Sequence, residues 1–291
     1  MDAETLKHLR LVLRQLEQYL PPIAEEIDWK LSVAAQWVPH QSGGHLQTFS
    51  AAKQIDLADL QGVDRQKQIL EQNLKQFLRG FPANHALLWG ARGTGKSSMV
   101  RALLNQYSAE GLRLIQVDKG DLKHLPSIAQ SIAATPYKFI IFCDDLSFDA
   151  HDDSYKALKS ALEGSVFSVP ENVLLIATSN RRHLVPEYQS DNEGTRITAT
   201  EIHYGEVVEE KISLSDRFGL WLSFYPIDQP QYLAIALHWA ARLAEQSGST
   251  LKLDEDFIAE ALRWALTRGN RSGRSAYQFA REWVGRMLLG S

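Results

Sequence analysis

The stretch that most constrains this chain is Gly90-Ala-Arg-Gly-Thr-Gly-Lys-Ser97. It follows an apolar run at 85–89 and precedes a helix-like segment at 98–104. A GxxxxGK[ST] loop between a strand and a helix curls so that its backbone N–H groups point at phosphate oxygens. Gly90 and Gly95 permit the curl, and the start of the following helix adds partial positive charge. The pattern therefore predicts a phosphate-binding loop; the alternative is a glycine-rich turn with an incidental lysine.

The loop residues divide into backbone donors and two side chains with specific roles. We expect Lys96 to reach the β- and γ-phosphates of a nucleotide and the Ser97 hydroxyl to ligate Mg²⁺. The full set of residues that we expect to contact the nucleotide is Gly90, Ala91, Arg92, Gly93, Thr94, Gly95, Lys96, Ser97 and Ser98.

Composition places the chain among ordinary globular proteins. Its 291 residues suffice for one large or two modest domains, and its net charge of −4 provides no global basic field for nucleic acid. A single cysteine, Cys143, cannot form an internal disulfide. The first residues lack the pattern of a signal peptide, and no segment approaches the ~18–20 apolar residues of a membrane span. These features predict a cytoplasmic protein with no membrane span.

Apolar runs alternate with helical patterns through the middle of the chain. This alternation predicts a parallel sheet covered on both faces, which is an α/β fold. The predicted strands are 86–89, 112–117, 139–143, 173–177 and 220–224, with helices at 65–79, 96–107, 121–134 and 152–163. Three further helices, 229–247, 254–267 and 274–289, follow Pro226 and predict a small helical domain.

The first 54 residues have a different character. Residues 3–20 predict a helix, whose leucine spacing fits either packing on its own domain or a seam for a partner. The polar stretch 39–54 contains Ser42-Gly43-Gly44 and is interpreted as a linker or exposed loop.

Two adjacent carboxylates end the apolar run at 138–143. An acid in this place can hold Mg²⁺ through water, and a second acid can orient the attacking water. Asp144 fits the first role and Asp145 the second; alternatively, the pair caps the following loop. Asn180, at the end of the next apolar run, either contacts the attacking water or the γ-phosphate, or starts a turn.

Two arginines complete the set of candidate catalytic residues. Arg217 precedes the last predicted strand, and we interpret it as a group that stabilises transition-state charge at a neighbouring subunit, or as half of a local ion pair. Arg274 opens the last helix and either reaches the γ-phosphate or is solvated.

Six arginines between 263 and 286 form either a nucleic-acid-binding face or a mixed surface, since Glu282 lies among them. Residues 196–208 suggest a hairpin or an ordinary ordered excursion.

These elements, in this order, resemble the AAA+ ATPases over residues 55–291. The match is closest to a bacterial family named domain of unknown function 815. The segments that carry this resemblance are Phe142-Cys-Asp-Asp-Leu-Ser-Phe148, Tyr155-Lys-Ala-Leu-Lys159, Thr178-Ser-Asn-Arg-Arg-His-Leu184 and Leu214-Ser-Asp-Arg-Phe-Gly-Leu-Trp221.

The resemblance implies a division of the chain and a role for each motif. It implies a helical N-terminal extension at 1–54, a three-layer P-loop core with a five-stranded parallel sheet at 55–226, and an all-α lid at 227–291. Residues 90–97 would be Walker A, 139–145 Walker B, Asn180 sensor 1, Arg217 the arginine finger and Arg274 sensor 2, while 57–63 would line the adenine pocket.

The resemblance further implies ATP and Mg²⁺ as ligands. It implies hydrolysis at subunit interfaces of a homo-oligomeric ring, often a hexamer, that remodels a protein or nucleoprotein partner. One departure is that Walker B ends in Asp144-Asp145 instead of Asp-Glu. The second carboxylate is one methylene shorter, and a shift of ~1 Å at a catalytic group can cost about 10²-fold in rate. An ATP-dependent switch or loader with slow hydrolysis is therefore the alternative.

Overall fold

The computed structural model describes residues 26–40, 43–50, 55–147, 169–181, 217–249 and 254–290, with isolated positions at 5, 8, 158, 159, 162, 196, 197, 202 and 203. The predicted helices 3–20 and 152–163 therefore lie almost wholly outside the described residues.

A seven-stranded sheet forms the centre of the described fold. Its strands are β1 (Ala34–His40), β2 (Gly43–Thr48), β3 (Ala86–Gly90), β4 (Leu112–Gln116), β5 (Lys138–Cys143), β6 (Val173–Ser179) and β9 (Leu220–Phe224), and the short β7 (Arg196–Ile197) and β8 (Ile202–His203) form a separate antiparallel pair. The order across the large sheet is β2-β1-β4-β5-β6-β3-β9. Its strands pair in parallel except for β2, which runs antiparallel to β1 at the edge.

The α/β fold and the five predicted strands are confirmed, but the sheet has two strands more. The interpretation of residues 39–54 as a linker or exposed loop is wrong for residues 39–40, which belong to β1, and for residues 43–48, which form β2. The reason is tertiary pairing: β1 joins the edge of β4, which buries Ala34 and Ala35 completely. Gly44 faces the Trp37 indole across the hairpin, where any side chain would overlap the ring. The polar hairpin thus extends the core sheet.

Helices cover both faces of the sheet and form the C-terminal bundle. They are α1 (Asp64–Leu78), α2 (Lys96–Tyr107), α3 (Leu125–Ile132), α4 (Gln229–Gln246), α5 (Glu255–Thr267) and α6 (Gly273–Leu289), and a 3₁₀ helix at Lys119–His124 leads into α3. Asp228 and Ser272 cap α4 and α6 by accepting N–H bonds from the first turn.

Apolar packing explains how these layers hold together. Successive side chains of β3 are buried on opposite faces of the sheet. Leu87 belongs to the apolar cluster beneath α3, whereas Ala86 and Leu88 belong to the cluster beneath α1 and α2. A third cluster around Phe257, Phe279 and Trp283 joins α4, α5 and α6, so the C-terminal bundle has a core of its own. In the described ranges, no helix has the length and apolar character needed to cross a bilayer.

Within the hairpin suggested for 196–208, the structure describes one short antiparallel pair. Arg196 pairs with His203 and Ile197 with Ile202. Residues 198–201 and 204–208 themselves lie outside the described residues.

Candidate nucleotide-binding site

The loop from β3 to α2 has the backbone of a phosphate cradle. Gly90, Gly93 and Gly95 all adopt positive φ, at 132°, 72° and 98°. Gly90 lies against the backbone of Phe224 in β9, where a Cβ would overlap the carbonyl oxygen. Only glycine satisfies both conditions at position 90, so the predicted loop geometry is present.

The Lys96 ammonium group lies buried across this loop. Its Nζ donates to the carbonyls of Gly90 at 2.9 Å and Ala91 at 2.7 Å, and to Asn180 Oδ1 at 3.2 Å. Burial lowers the pKa of Lys96, and the nearby carboxylates of Asp145 and Asp144 partly oppose that effect. A buried cation held mainly by neutral oxygens is poised to bind an anion.

A hydroxyl and a carboxylate meet at the start of α2. Ser97 Oγ donates to Asp144 Oδ1 at 2.5 Å, and Thr178 Oγ1 donates to the same oxygen at 2.6 Å. Mg²⁺ prefers oxygen ligands and is usually held by one or two protein groups, with waters and phosphates completing its shell. Ser97 and Asp144 fit this pattern, and the described residues hold no group of three or more His, Cys, Asp or Glu side chains suited to another metal.

Thr178 also positions the second aspartate, and sequence reasoning assigned it no role. Its Oγ1 accepts the Asp145 backbone N–H at 2.9 Å, and its carbonyl accepts the Leu146 N–H at 2.6 Å. Asp145 adopts a φ of 55°, which is unusual for a residue other than glycine, and its carboxylate accepts a hydrogen bond from Asn180. The structure therefore brings Asp144, Asp145 and Asn180 together beside Lys96.

The N-terminal end of α6 lies directly on the loop. A Cβ added at Gly93 would lie only 2.8 Å from Ser272 Cβ. The backbone N–H of Arg274 points at the Gly93 carbonyl, with 3.4 Å between nitrogen and oxygen. The exposed Arg274 side chain lines the same cavity as Arg92, and the positive charges of both arginines add to the effect of burial in lowering the pKa of Lys96. The structure thus places Arg274 beside the loop, and its contact with a γ-phosphate stays a prediction.

Arg217 lies elsewhere. It precedes β9, which runs parallel to β3, and the phosphate loop follows the opposite end of β3. The neighbouring Gly219 packs against Asn84, just before β3 begins. The exposed Arg217 is accordingly not among the residues that line the cavity of its own chain.

A cavity of about 970 Å³ joins the loop to the C-terminal bundle. The apolar side chains in its lining come from both parts of the chain: Ile55, Leu60, Val63, Ile227, Ile235, Trp239 and Leu243. Of the segment 57–63 expected to line an adenine pocket, Leu57 instead packs against the core beneath α1 and α2.

A polar cluster ties the bundle to this segment. Asp59 is only 2% exposed, and its carboxylate pairs with Arg242 and lies 2.9 Å from His238 Nε2. Arg242 also bonds to Asp56 at 2.8 Å, and burial lowers the pKa of His238. Gln231 donates to the Gly62 carbonyl at 2.9 Å. Sequence reasoning missed this cluster; the only local signal was the Asp56-x-x-Asp59 spacing of a capping box.

Comparison with known proteins shows the family of this chain. The model of a family described as "Protein of unknown function (DUF815)" matches residues 30–287. The large subunit of replication factor C from Methanococcus vannielii is 27% identical over 177 residues, which are 56% of this chain and 34% of that protein.

Among solved structures, the chain is similar to a RuvB mutant of Thermotoga maritima and to the ORC1 protein of Aeropyrum pernix in complex with DNA. Both are 17% identical with a TM-score of 0.50; the first match covers 78% of this chain and 64% of RuvB, the second 75% and 58% of ORC1. The chain thus spans about a third of the curated relative and about three fifths of these structures. At this identity the likeness shows the fold alone, a P-loop NTPase-like α/β fold.

Proposed function

The chain belongs to the DUF815 family and its fold is that of the AAA+ superfamily, and from this premise we propose that it binds and hydrolyses ATP with Mg²⁺. One observation carries the proposal. A continuous chain of hydrogen bonds runs from Ser97 through Asp144, Thr178, Asp145 and Asn180 to Lys96. It assembles, on three neighbouring strands, the groups that hold Mg²⁺, phosphate and an attacking water in phosphoryl transfer.

Each group has a task that its position supports. Lys96 and the loop N–H groups bind the β- and γ-phosphates, while Ser97 and Asp144 supply two oxygens for Mg²⁺, which would neutralise charge on the phosphates. Asp145 accepts a hydrogen bond from the attacking water and orients it. Asn180 holds the Asp145 carboxylate and, through its Oδ1, the Lys96 ammonium group.

Hydrolysis in this proposal needs a second copy of the chain. Arg217 precedes β9 and so lies at the opposite end of the strands from its own phosphate loop, outside the lining of its own cavity, and we expect its guanidinium to act on a neighbouring subunit's nucleotide. The site is therefore completed in a homo-oligomer, for which we propose a ring that remodels a protein or nucleoprotein partner. An arginine supplied in this way is worth about 10³–10⁵ in rate.

The test is ATP hydrolysis per subunit measured over a hundredfold range of protein concentration. We expect the specific rate to rise with concentration in the wild type. Arg217→Ala should bind ATP normally yet lose most turnover at every concentration. Arg79→Ala, which removes an exposed arginine outside the cavity lining, serves as the matched control and should behave as the wild type.

Asp145→Asn tests the site within one subunit. It keeps the hydrogen bond that Asn180 donates and removes the charge, so ATP binding should persist while turnover falls by about 10²-fold or more. Normal hydrolysis by both Asp145→Asn and Arg217→Ala would refute the assignment. Tight ATP binding with a flat, near-zero wild-type rate would instead favour the alternative, a switch or loader whose ATP-bound form recruits its partner.

A second candidate activity, binding of nucleic acid, has one observation in its favour. Arg263, Arg268, Arg271 and Arg281 are all exposed, and Arg268 and Arg281 lie together at one small surface pocket, which Glu282 also lines. We expect salt-sensitive binding of single-stranded DNA if this face contacts phosphates. Absence of binding at low salt would remove this candidate.

A further inference from the structure

The lining of the cavity combines two kinds of chemistry. Phosphate and Mg²⁺ account for the polar groups of Lys96, Ser97 and the aspartates. The lining also includes the apolar side chains of Ile55, Leu60 and Val63 from the core and two aromatic rings, Trp239 and Tyr277, from the bundle. The polar groups that would hold phosphates and Mg²⁺ do not account for the ring surface that faces the cavity.

Trp239 is held in place by three neighbours. Its ring lies 4.7 Å from that of Tyr277 and 5.5 Å from that of His238, both nearly perpendicular, and the Arg242 guanidinium lies 5.6 Å from its centroid. Arg242 is fixed in turn by its ion pairs with Asp56 and Asp59. Trp239 nevertheless stays partly exposed and lines the cavity. An oriented indole with remaining surface in a cavity is a surface on which a flat ring can stack.

The buried carboxylate of the cavity lining is already satisfied. Of the Asp59 carboxylate oxygens, Oδ1 is taken by Arg242 and His238, and Oδ2 accepts the Asp56 N–H at 2.8 Å. Asp59 therefore supports the cavity wall through its partners and has little capacity left for a ligand. The apolar and aromatic side chains of the lining offer packing and stacking contacts instead.

We propose that Trp239 is the stacking surface for the purine base of the nucleotide whose phosphates lie in the 90–97 loop. The inference rests on the proposed function and adds a specificity-determining residue to it. Stacking of a base on an aromatic side chain is worth about 1–3 kcal/mol. Because a purine offers more ring area than a pyrimidine, this contact favours purine nucleotides. The base thereby links the C-terminal bundle to the core, since Trp239 lies on α4.

The experiment is calorimetric titration of the full chain with ATP, CTP and inorganic tripolyphosphate. Trp239→Ala should weaken ATP binding by about tenfold to a hundredfold, reduce the preference for ATP over CTP, and leave the affinity for tripolyphosphate unchanged. Trp239→Phe should retain most of the ATP affinity because a ring remains. Trp264→Phe, at the partly buried tryptophan of α5 outside this cavity, is the matched control and should bind like the wild type.

Each contrary outcome has a separate meaning. Unchanged ATP affinity and base preference in Trp239→Ala would overturn the inference and leave the proposed function standing. Equal losses for ATP and tripolyphosphate, in Trp239→Ala and Trp239→Phe alike, would show that the ring only supports the fold, and would also overturn it. A wild-type protein that binds neither ATP nor tripolyphosphate would refute the proposed function, and this inference with it.

Discussion

The phosphate end of the cavity and the C-terminal bundle, which we propose to act as its lid, line the same cavity but are held by different means. At the phosphate end, β5, β6 and β3 are neighbours in one sheet, and the polar residues that follow β5 and β6 bond to the first residues of α2, as Asp144 does with Ser97 at 2.5 Å and Asn180 with Lys96 at 3.2 Å. The lid contacts the phosphate end where the start of α6 meets Gly93. It contacts the segment 56–62 of the core through the side chains of Arg242, His238 and Gln231. The phosphate end is thus built into the core, whereas the lid is attached through a small number of side chains.

This difference indicates where rigidity and movement reside. The lid has its own apolar core, so it can shift as a unit if its few attachments change. The phosphate end cannot shift without breaking the sheet. Substitutions at the phosphate end should therefore act mainly on nucleotide affinity, whereas breaking the buried ion pair of the lid attachment should act mainly on stability.

The largest effect should follow from Lys96→Ala. It removes the buried cation of the loop, and we expect ATP affinity to fall by about 10²–10³-fold because the phosphates lose a charge-assisted contact. Because burial lowers the pKa of Lys96, the charged group is costly to fold, so stability should not decrease. Calorimetric titration and thermal melting check the two parts. The control is Lys123→Ala, an exposed lysine, and a similar loss there would contradict the assignment.

The lid attachment should show the opposite behaviour in Asp59→Ala. Removing one partner of a buried ion pair costs about 3–5 kcal/mol, and we expect about 3 kcal/mol here because the Arg242 side chain is 23% exposed. Urea denaturation measures the loss, and hydrogen exchange should locate it in α4. The control is Glu260→Gln, which breaks an exposed ion pair with Arg286 and should cost less than 1 kcal/mol. Equal costs for the two variants would show that burial of Asp59 contributes nothing.

A pH change tests the strand that carries the loop. His85 Nδ1 accepts the Leu175 N–H at 3.1 Å, and burial lowers the pKa of His85 from 6.5 to about 4. The unfolded chain binds more protons between these values, so stability is full above pH 6.5 and falls as the pH drops towards 4. From pH 7.5 to 5 the wild type should lose about 2 kcal/mol more than His85→Gln, which does not titrate. Parallel pH profiles of the two proteins in urea denaturation would contradict this.

The sequence predicted those parts of the molecule that have strong local signals. The helix predicted at 96–107 has these bounds in the structure, and β9 has the bounds 220–224, because the loop glycines and apolar runs define their ends. The Asp144, Asp145 and Asn180 positions follow from the rule that the carboxyl ends of parallel strands share one edge of the sheet.

What the sequence did not predict depends on partners distant in the chain. The β1–β2 hairpin is polar, and only its pairing with β4 makes it part of the core. Thr178 is ordinary in a strand, and its two roles appear only when β5 lies beside β6. Asp59 and Arg242 meet across the boundary between core and lid, and no local pattern could pair them.

The smallest effect should follow from Arg274→Ala. This arginine lies where the start of α6 meets the phosphate loop at Gly93. Arg271 and Arg274 are both exposed and lie in the same segment before and at the start of α6, but only Arg274 lines the cavity. If the Arg274 guanidinium contacts the γ-phosphate, its loss should reduce the preference for ATP over ADP by about tenfold, which is about 1.4 kcal/mol. Arg271→Ala should leave that preference unchanged, because Arg271 does not line the cavity. If the preference came only from a general positive field, both arginines would contribute to it. Equal effects of the two variants in a titration with ATP and ADP would mean that charge alone matters; a loss confined to Arg274→Ala would mean that the lid responds to the γ-phosphate through a single side chain.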